Sequence, residues 1–414
     1  MPTKADPCSQ PSLMHPDKAI ALLLEQVNPL EESEVVQLSQ GLGRVLAEDL
    51  ASSIDLPPFN NSSMDGYAFR FEDLANNESL KLIGQSFAGH PFEGQAKPNT
   101  CIRIMTGAPL PDGYDTVQMH ERVEAKDAAI FIESPKAIGA NVRYRGEEVK
   151  TGGKVLVSGT KIGAAELGVL ATIGTNQIRV TRQVKVAFFS TGDELRPVGT
   201  ELAPGQIYDS NRYSIRGLLS RANVEWIDMG VVEDDPEAIR EAFKNAAANA
   251  DMVLTSGGVS VGDADYTKQV LDEVGEITFW KLAIKPGKPF AFGKLDKAIF
   301  CGLPGNPVSS MVTFYKLVWP LLIKMQGLPQ VKPLQLKATL KGDLRKYPGR
   351  VEYQRGILSQ DDKGEFEVTL TGGQGSGMLT SMSLANCFVI LSQEQGDTPD
   401  GTLVTVEPFN SVLC

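Results

Sequence analysis

The stretch from Thr255 to Pro307 constrains this chain more than any other. It begins with Thr255-Ser-Gly-Gly-Val-Ser-Val-Gly-Asp-Ala-Asp265, passes Lys281 and Lys285-Pro-Gly-Lys-Pro289, and ends in Leu303-Pro-Gly-Asn-Pro307. The apolar run Met252–Leu254 feeds the first loop and an amphipathic run from Tyr266 leaves it, so the order is strand, glycine loop, helix. Glycines let backbone N–H groups close on a ligand, and the start of a helix adds partial positive charge, which together make an anion-binding turn. Asp263 and Asp265 add oxygen ligands suited to a hard cation. With the lysines that follow, the pattern points to a phosphorylated ligand and Mg2+. The stretch is neither a G-x-x-x-x-G-K-S/T phosphate loop nor a G-x-G-x-x-G dinucleotide loop.

A net charge of −11 argues against a general nucleic-acid binder, which needs basic surface to neutralise phosphates. Local charge is another matter. From Lys281 to Lys297 there are five lysines and one aspartate, a net of +4, so an anion can still be held there. Cys8, Cys101, Cys301, Cys387 and Cys414 are odd in number, dispersed and without C-x-x-C spacing, which does not read as a disulfide framework or zinc site and fits a reducing cytoplasm. The polar start, Met1–Met14, has no apolar core of a signal peptide, and no apolar run reaches the roughly 18 residues of a membrane span. His15, His90 and His120 are too dispersed for a histidine metal site.

Along the chain, helices are expected over Asp17–Gln26 and Gln40–Leu50, and a polar loop over Pro57–Tyr67. Short apolar runs between turn residues from Leu80 to Arg143 read as a β-rich unit. A strand at Gly152–Val157 and a helix at Lys161–Thr172 follow. From Val184 strands alternate with helices up to the long helix Val308–Met325, the pattern of an open α/β sheet with helices on both faces. Such sheets bind ligands beyond the carboxyl ends of their strands, where Thr191-Gly-Asp-Glu194, Ser256–Asp265 and Pro304-Gly-Asn-Pro307 all fall. After Gly327 five short strand candidates make a small β-barrel or sandwich.

Four further stretches, Pro57-Pro-Phe-Asn-Asn-Ser-Ser-Met-Asp-Gly-Tyr67, Met105-Thr-Gly-Ala-Pro109, Ser190-Thr-Gly-Asp-Glu-Leu195 and Gly372-Gly-Gln-Gly-Ser376, accompany the central one in the same order as in the molybdopterin molybdenumtransferase (MoeA) family. The chain resembles that family over nearly its whole length, including the corresponding part of gephyrin. The resemblance implies a multidomain α/β plus β protein. Residues 1–51 and 145–182 would form an elongated N-terminal domain, 52–144 an inserted β-rich domain, 183–327 an α/β molybdopterin-binding domain and 328–414 a C-terminal β-barrel.

It also implies a transferase that inserts molybdate into adenylated molybdopterin and releases AMP, the last step of molybdenum cofactor biosynthesis. Asp265 and Glu194 would be the acidic pair, catalytic and Mg2+-linked, with Lys281 and Lys285 neutralising phosphate or molybdate oxygens and Lys288 assisting. Ser256, Gly257 and Gly258 would give backbone donors, while Pro304 and Pro307 stiffen the loop that presents Asn306. Asp65, Thr106, Arg355 and Ser376 match family cleft residues. Read without the resemblance, they are a surface turn, a turn cap and solvated strand or loop positions. Asp234 is either a third acid or the cap of the helix that starts at Pro236. The family is dimeric, and contact with the adenylyltransferase that makes the substrate is expected. The alternatives are a molybdopterin adenylyltransferase and a non-catalytic molybdopterin-binding scaffold.

Overall fold

The computed structural model describes residues 13–75, 78–133, 135, 137–258 and 266–409. Asp263 and Asp265 lie outside them. The chain divides into two compact units, one made of residues up to 34, 43–45 and 181 onward, the other of 35–42 and 46–180.

In the larger unit a six-stranded sheet has the order Glu225–Val232, Lys185–Thr191, Met252–Ser256, Ala298–Leu303, Pro289–Leu295, Glu276–Lys281. The first four strands are mutually parallel and the last two pairings antiparallel. The parallel strands read as unbroken apolar runs because both faces are covered. Val186, Phe188, Met252 and Leu254 pack on one side, against the helix Ser210–Arg221 and the helical run from Pro307 to Met325. Ala187, Phe189 and Val253 pack on the other, against Pro236–Asn249 and Tyr266–Val274. The expected single helix Val308–Met325 is interrupted by a π turn, Phe314–Val318, followed at once by Trp319–Met325. Pro320 lies in the first turn of that last segment, where it has no N–H to continue an α ladder.

The helix Pro16–Glu25 belongs to this same unit. Ala19 and Leu23 are buried in its core, Lys324 Nζ donates to Leu24 O at 2.7 Å, and Leu30 N donates to Met325 O at 2.8 Å. The strands Leu336–Lys341, Val351–Gln360, Phe366–Leu370, Cys387–Leu391 and Leu403–Pro408 form a closed five-stranded barrel, because Val351–Gln360 pairs with both Phe366–Leu370 and Cys387–Leu391. Short runs separated by turns left barrel and sandwich equally open, and this second pairing of one strand is the closure.

The smaller unit carries a second six-stranded sheet, ordered Thr116–Met119, Gly66–Phe69, Thr100–Ile104, Leu80–Ser86, Ala129–Ile132, Val123–Lys126. A separate cluster of Leu46, Leu56, Ile162, Leu170, Ile178 and Val180 surrounds the helix Ala164–Thr172. The helix expected at Gln40–Leu50 does not form. A 3-10 turn at Leu38–Gln40 gives way to irregular chain and the strand Leu50–Ala51. Gly41 and Gly43 each cost about 1 kcal/mol in a helix, and Gly43 takes φ +77°. The loop expected at Pro57–Tyr67 also contains structure, for Asn61–Ser62 pairs with Val142–Arg143.

Candidate active site

The larger sheet brings four of the sequence motifs to one edge. Thr191 pairs with Val232, Ser190 with Ser256, and Ser256 with Leu303, so Glu233-Asp234, Gly192-Asp193-Glu194, Gly257-Gly258 and Pro304–Pro307 all leave the carboxyl ends of adjacent parallel strands. The chain passes from Lys185–Thr191 to the neighbour on one side, then crosses to Met252–Ser256 on the other. This reversal makes a topological switch point between the ends of Lys185–Thr191 and Met252–Ser256, the place where open α/β sheets take ligands. Strand Glu276–Lys281, antiparallel to an antiparallel neighbour, runs the same way as the parallel strands and ends at Lys281 on this edge.

The glycine turn is obligatory as built. Gly257 has φ +94° and Gly258 φ +63°, and a Cβ on Gly257 would stand 2.6 Å from Thr191 O. Gly257 N donates to Leu303 O at 3.2 Å, so the turn is tied to the Pro-Gly-Asn-Pro loop. Pro304 is buried, Pro307 half-buried, and Asn306 exposed as the residue preceding the helix Pro307–Thr313. Asn211 is a residue that sequence reading passed over. Its Nδ2 donates to Ser256 Oγ and to Gly305 O, both at 2.7 Å. The available signal was Asp209-Ser-Asn211 at the head of a helix. Asp209 caps it by accepting from Arg212 N at 3.2 Å, and Asn211, not the capping residue, faces the loops.

Three acids sit at one side of the edge. Asp193 and Glu194 are exposed and Asp234 is half-buried, with Asp234 N donating to Asp193 Oδ1 at 3.4 Å. Burial pushes the Asp234 carboxyl up, and the negative charges of Asp193 and Glu194 push it further. The capping role considered for Asp234 belongs to its neighbour: Asp235 accepts from Glu237 N and Ala238 N at 3.0 and 2.9 Å. Asp234 is thereby left to the edge.

Lys281 is exposed, and its carbonyl accepts from Met14 N at 2.9 Å. Lys285 is partly exposed, and its Nζ lies 3.1 Å from Oε1 of the buried Glu352. Lys288 is half-buried and closes the lysine loop through Leu282 N, which donates to Lys288 O at 2.7 Å. This loop is joined to the barrel by the pairing of Ile284 and Lys285 with Val351 and Glu352. Arg355 is not a solvated strand residue. It is 1 % exposed, and its guanidinium donates to Ser381 Oγ at 2.9 Å and to Gly375 O at 3.0 Å. It holds the Gly372–Gly377 loop from beneath. Ser376 sits in that loop, its carbonyl accepting from Val308 N at 3.0 Å.

Asp65 and Thr106 belong to the smaller unit. Both are exposed, and Asp65 Oδ1 accepts from Thr106 N at 2.7 Å and Thr106 Oγ1 at 2.8 Å. The two signature segments are thus one polar patch, tied again by Gly107 N donating to Ser62 O at 2.8 Å. The Thr106 bonds hold the Asp65 carboxyl below its ordinary value. A depressed folded pKa means the tie is fully present above the unfolded value and is lost as pH falls through the folded one. The Thr106 amide resonance should therefore stay fixed at neutral pH and move only below the ordinary aspartate value of about 4. In Asp65→Asn no such titration should remain. A Thr106 shift between pH 6 and 7 would contradict the assignment.

Among the described residues no group of three or more His, Cys, Asp or Glu side chains is arranged to hold a metal ion, and no helix is long and apolar enough to cross a membrane.

The chain matches the MoeA N-terminal region (domain I and II) over residues 14–174, the probable molybdopterin binding domain over 188–324 and the MoeA C-terminal region (domain IV) over 337–409. It is 46% identical over 400 residues to the molybdopterin molybdenumtransferase of Haemophilus influenzae, spanning 96% of this chain and 99% of that protein. To the molybdopterin molybdenumtransferase of a Nostoc species it is 36% identical, spanning 92% and 90%. The crystal structure of the molybdopterin biosynthesis MoeA protein of Pyrococcus horikoshii, 33% identical, superposes with a TM-score of 0.78 over 96% of this chain and all of that one. These three successive regions and this identity over nearly the whole chain, with a glycine turn, acids and lysines at the strand ends, place the chain in the MoeA family of molybdopterin molybdenumtransferases.

Proposed function

We propose that this protein inserts molybdate into adenylated molybdopterin with release of AMP, using the carboxyl edge of its larger sheet. One observation carries the reading: the glycine turn Ser256-Gly-Gly258 lies at the strand ends where strand order reverses, between a strand end bearing acids and one bearing lysine. Cleaving a phosphoanhydride builds negative charge on oxygen, and fixed donors and cations aimed at that oxygen lower its barrier. The expected Gly257 donor is already engaged, its N–H bonding Leu303 O at 3.2 Å, so the backbone N–H of Gly258 would face the phosphate. Lys281 and Lys285 would neutralise phosphate or molybdate oxygens, and Asn306 would contact the nucleotide.

Glu194, with Asp265 and Asp234, would supply carboxylate oxygens. These fit Mg2+ in kind, since the ion takes one or two carboxylates and keeps its waters. Burial, and then the charges of Asp193 and Glu194, raise the Asp234 carboxyl, and a cation there would relieve the second of these. Bound there, Mg2+ would offset charge on the anhydride. The family's dimer, and contact with the adenylyltransferase, would complete the assembly, with Arg355 acting from beneath the loop that carries Ser376. The three described cysteines, Cys101, Cys301 and Cys387, are buried free thiols, which suits a reducing cytoplasm.

The test is AMP release from purified adenylated molybdopterin with Mg2+ as molybdate is titrated in. Release that rises with molybdate, with cofactor formed, is the expected result. The Asp265→Ala protein should fold and lose turnover by about two to three orders of magnitude. Ligand bound without release would favour a scaffold, and use of ATP on metal-free molybdopterin would favour an adenylyltransferase.

A further inference from the structure

Asn211 does more than join two loops. Gly305 O can only accept a hydrogen bond, so the amino side of the Asn211 carboxamide must face it, and the bond to Ser256 Oγ comes from that same amino group. Ser256 Oγ therefore acts as acceptor toward Asn211, and its own hydroxyl proton is left for something else. Among the described residues nothing takes that proton. Asn211 Oδ1 is buried without a partner, as are Thr255 Oγ1 on the same strand as Ser256 and Ser190 Oγ on the neighbouring one. An acceptor left unpaired in the interior is unfavourable. The orientation is thus held by the two donated bonds, not by what the oxygen gains.

We infer that Asn211 is a positioning residue: it fixes the Ser256 hydroxyl as a hydrogen-bond donor to a phosphate oxygen held at the Gly257-Gly258 turn. This rests on reading the sheet edge as the site for the substrate's anhydride. Asn211 acts through Ser256, so removing either should cost the same contact, and removing both should cost it once.

The experiment is a double-mutant cycle on the full chain with Asn211→Leu, Ser256→Ala and the pair, titrating inorganic pyrophosphate by calorimetry and following thermal unfolding. Each single change is expected to weaken binding by about tenfold, and the pair no more than either alone. A merely structural Asn211 would lower the unfolding temperature and give losses that add. Additive losses, unchanged binding by Ser256→Ala, or no pyrophosphate binding by the unaltered protein would overturn the inference. If Asn211→Leu does not fold, Asn211→Asp takes its place in the cycle, since a carboxylate has no proton to give Gly305 O and draws the Ser256 proton toward itself. Coupled losses with no AMP release by the unaltered protein would sink the transferase reading and leave this one standing.

Discussion

Gly257→Ala is expected to fold, to lose about 1–3 kcal/mol of stability, and to lose turnover by about a hundredfold or more. Two costs combine. At φ +94° an alanine Cβ is strained against its own backbone, and that Cβ would stand 2.6 Å from Thr191 O, well inside contact distance. Thr191 O is backbone at a strand end and cannot rotate away. Relief must come from moving the Thr191–Glu194 turn or the glycine turn, and both carry proposed site groups. Gly217→Ala is the control. Gly217 lies in the helix Ser210–Arg221, and a Cβ there meets nothing within 4 Å. It should gain about 0.5–1 kcal/mol in helix propensity. Urea unfolding of both variants, with AMP release for Gly257→Ala, makes the comparison. Full activity in Gly257→Ala would mean that the turn does not touch the reacting groups.

The α/β sheet was the most legible part of the chain, for a physical reason. Parallel strands buried on both faces leave plain apolar runs such as Val186–Phe189, and glycine turns mark where they end. What could not be read was anything set by contacts distant in sequence. The helix Pro16–Glu25 shows the right period, but only packing reveals that Ala19 and Leu23 lie against the helical run ending at Met325. Gln40–Leu50 has helical spacing, and two glycines outweigh it. Within the candidate site, glycine in the strand-end turn announced itself, since the positive φ at Gly257 and Gly258 favours that residue. Asn211 did not, because an asparagine near a helix start is ordinarily a capping residue. Asp234 and Asp235 were indistinguishable until the backbone showed which one faces the first turn. Arg355 misled most, since strand arginines usually reach solvent and this one is enclosed.

Arg355→Met should separate stability from function. The buried guanidinium makes charge-assisted bonds to Ser381 Oγ and Gly375 O, and their loss is unfavourable by about 1.5–3 kcal/mol each at most. Opposing this, burial pushes the Arg355 pKa down to about 10, a sign that the charge is held in poor surroundings. Replacing a buried charge with an apolar side chain of similar size often recovers much of what its bonds gave. Gly373 and Gly375 are also exposed, so water can reach the loop once it is released. The net change in stability is therefore expected within about 2 kcal/mol. Gln374 also ties the loop to the strand, accepting from Arg355 N at 2.8 Å and donating to Arg355 O at 3.1 Å, but among the described residues it is the Arg355 guanidinium that holds the loop carbonyls of Gly373 and Gly375. Freed, it no longer holds Ser376 O against Val308 N at the start of the helix that follows Pro304-Gly-Asn-Pro307. Turnover should fall by about a hundredfold while the unfolding midpoint moves little. Arg355→Lys should not rescue it, because one ammonium cannot reproduce a planar fork that spans Ser381 and Gly375 together. A stable Arg355→Met protein with normal AMP release would show that the loop takes no part in the reaction. A protein that unfolds outright would make Arg355 a core element first, with its hold on Ser376 incidental.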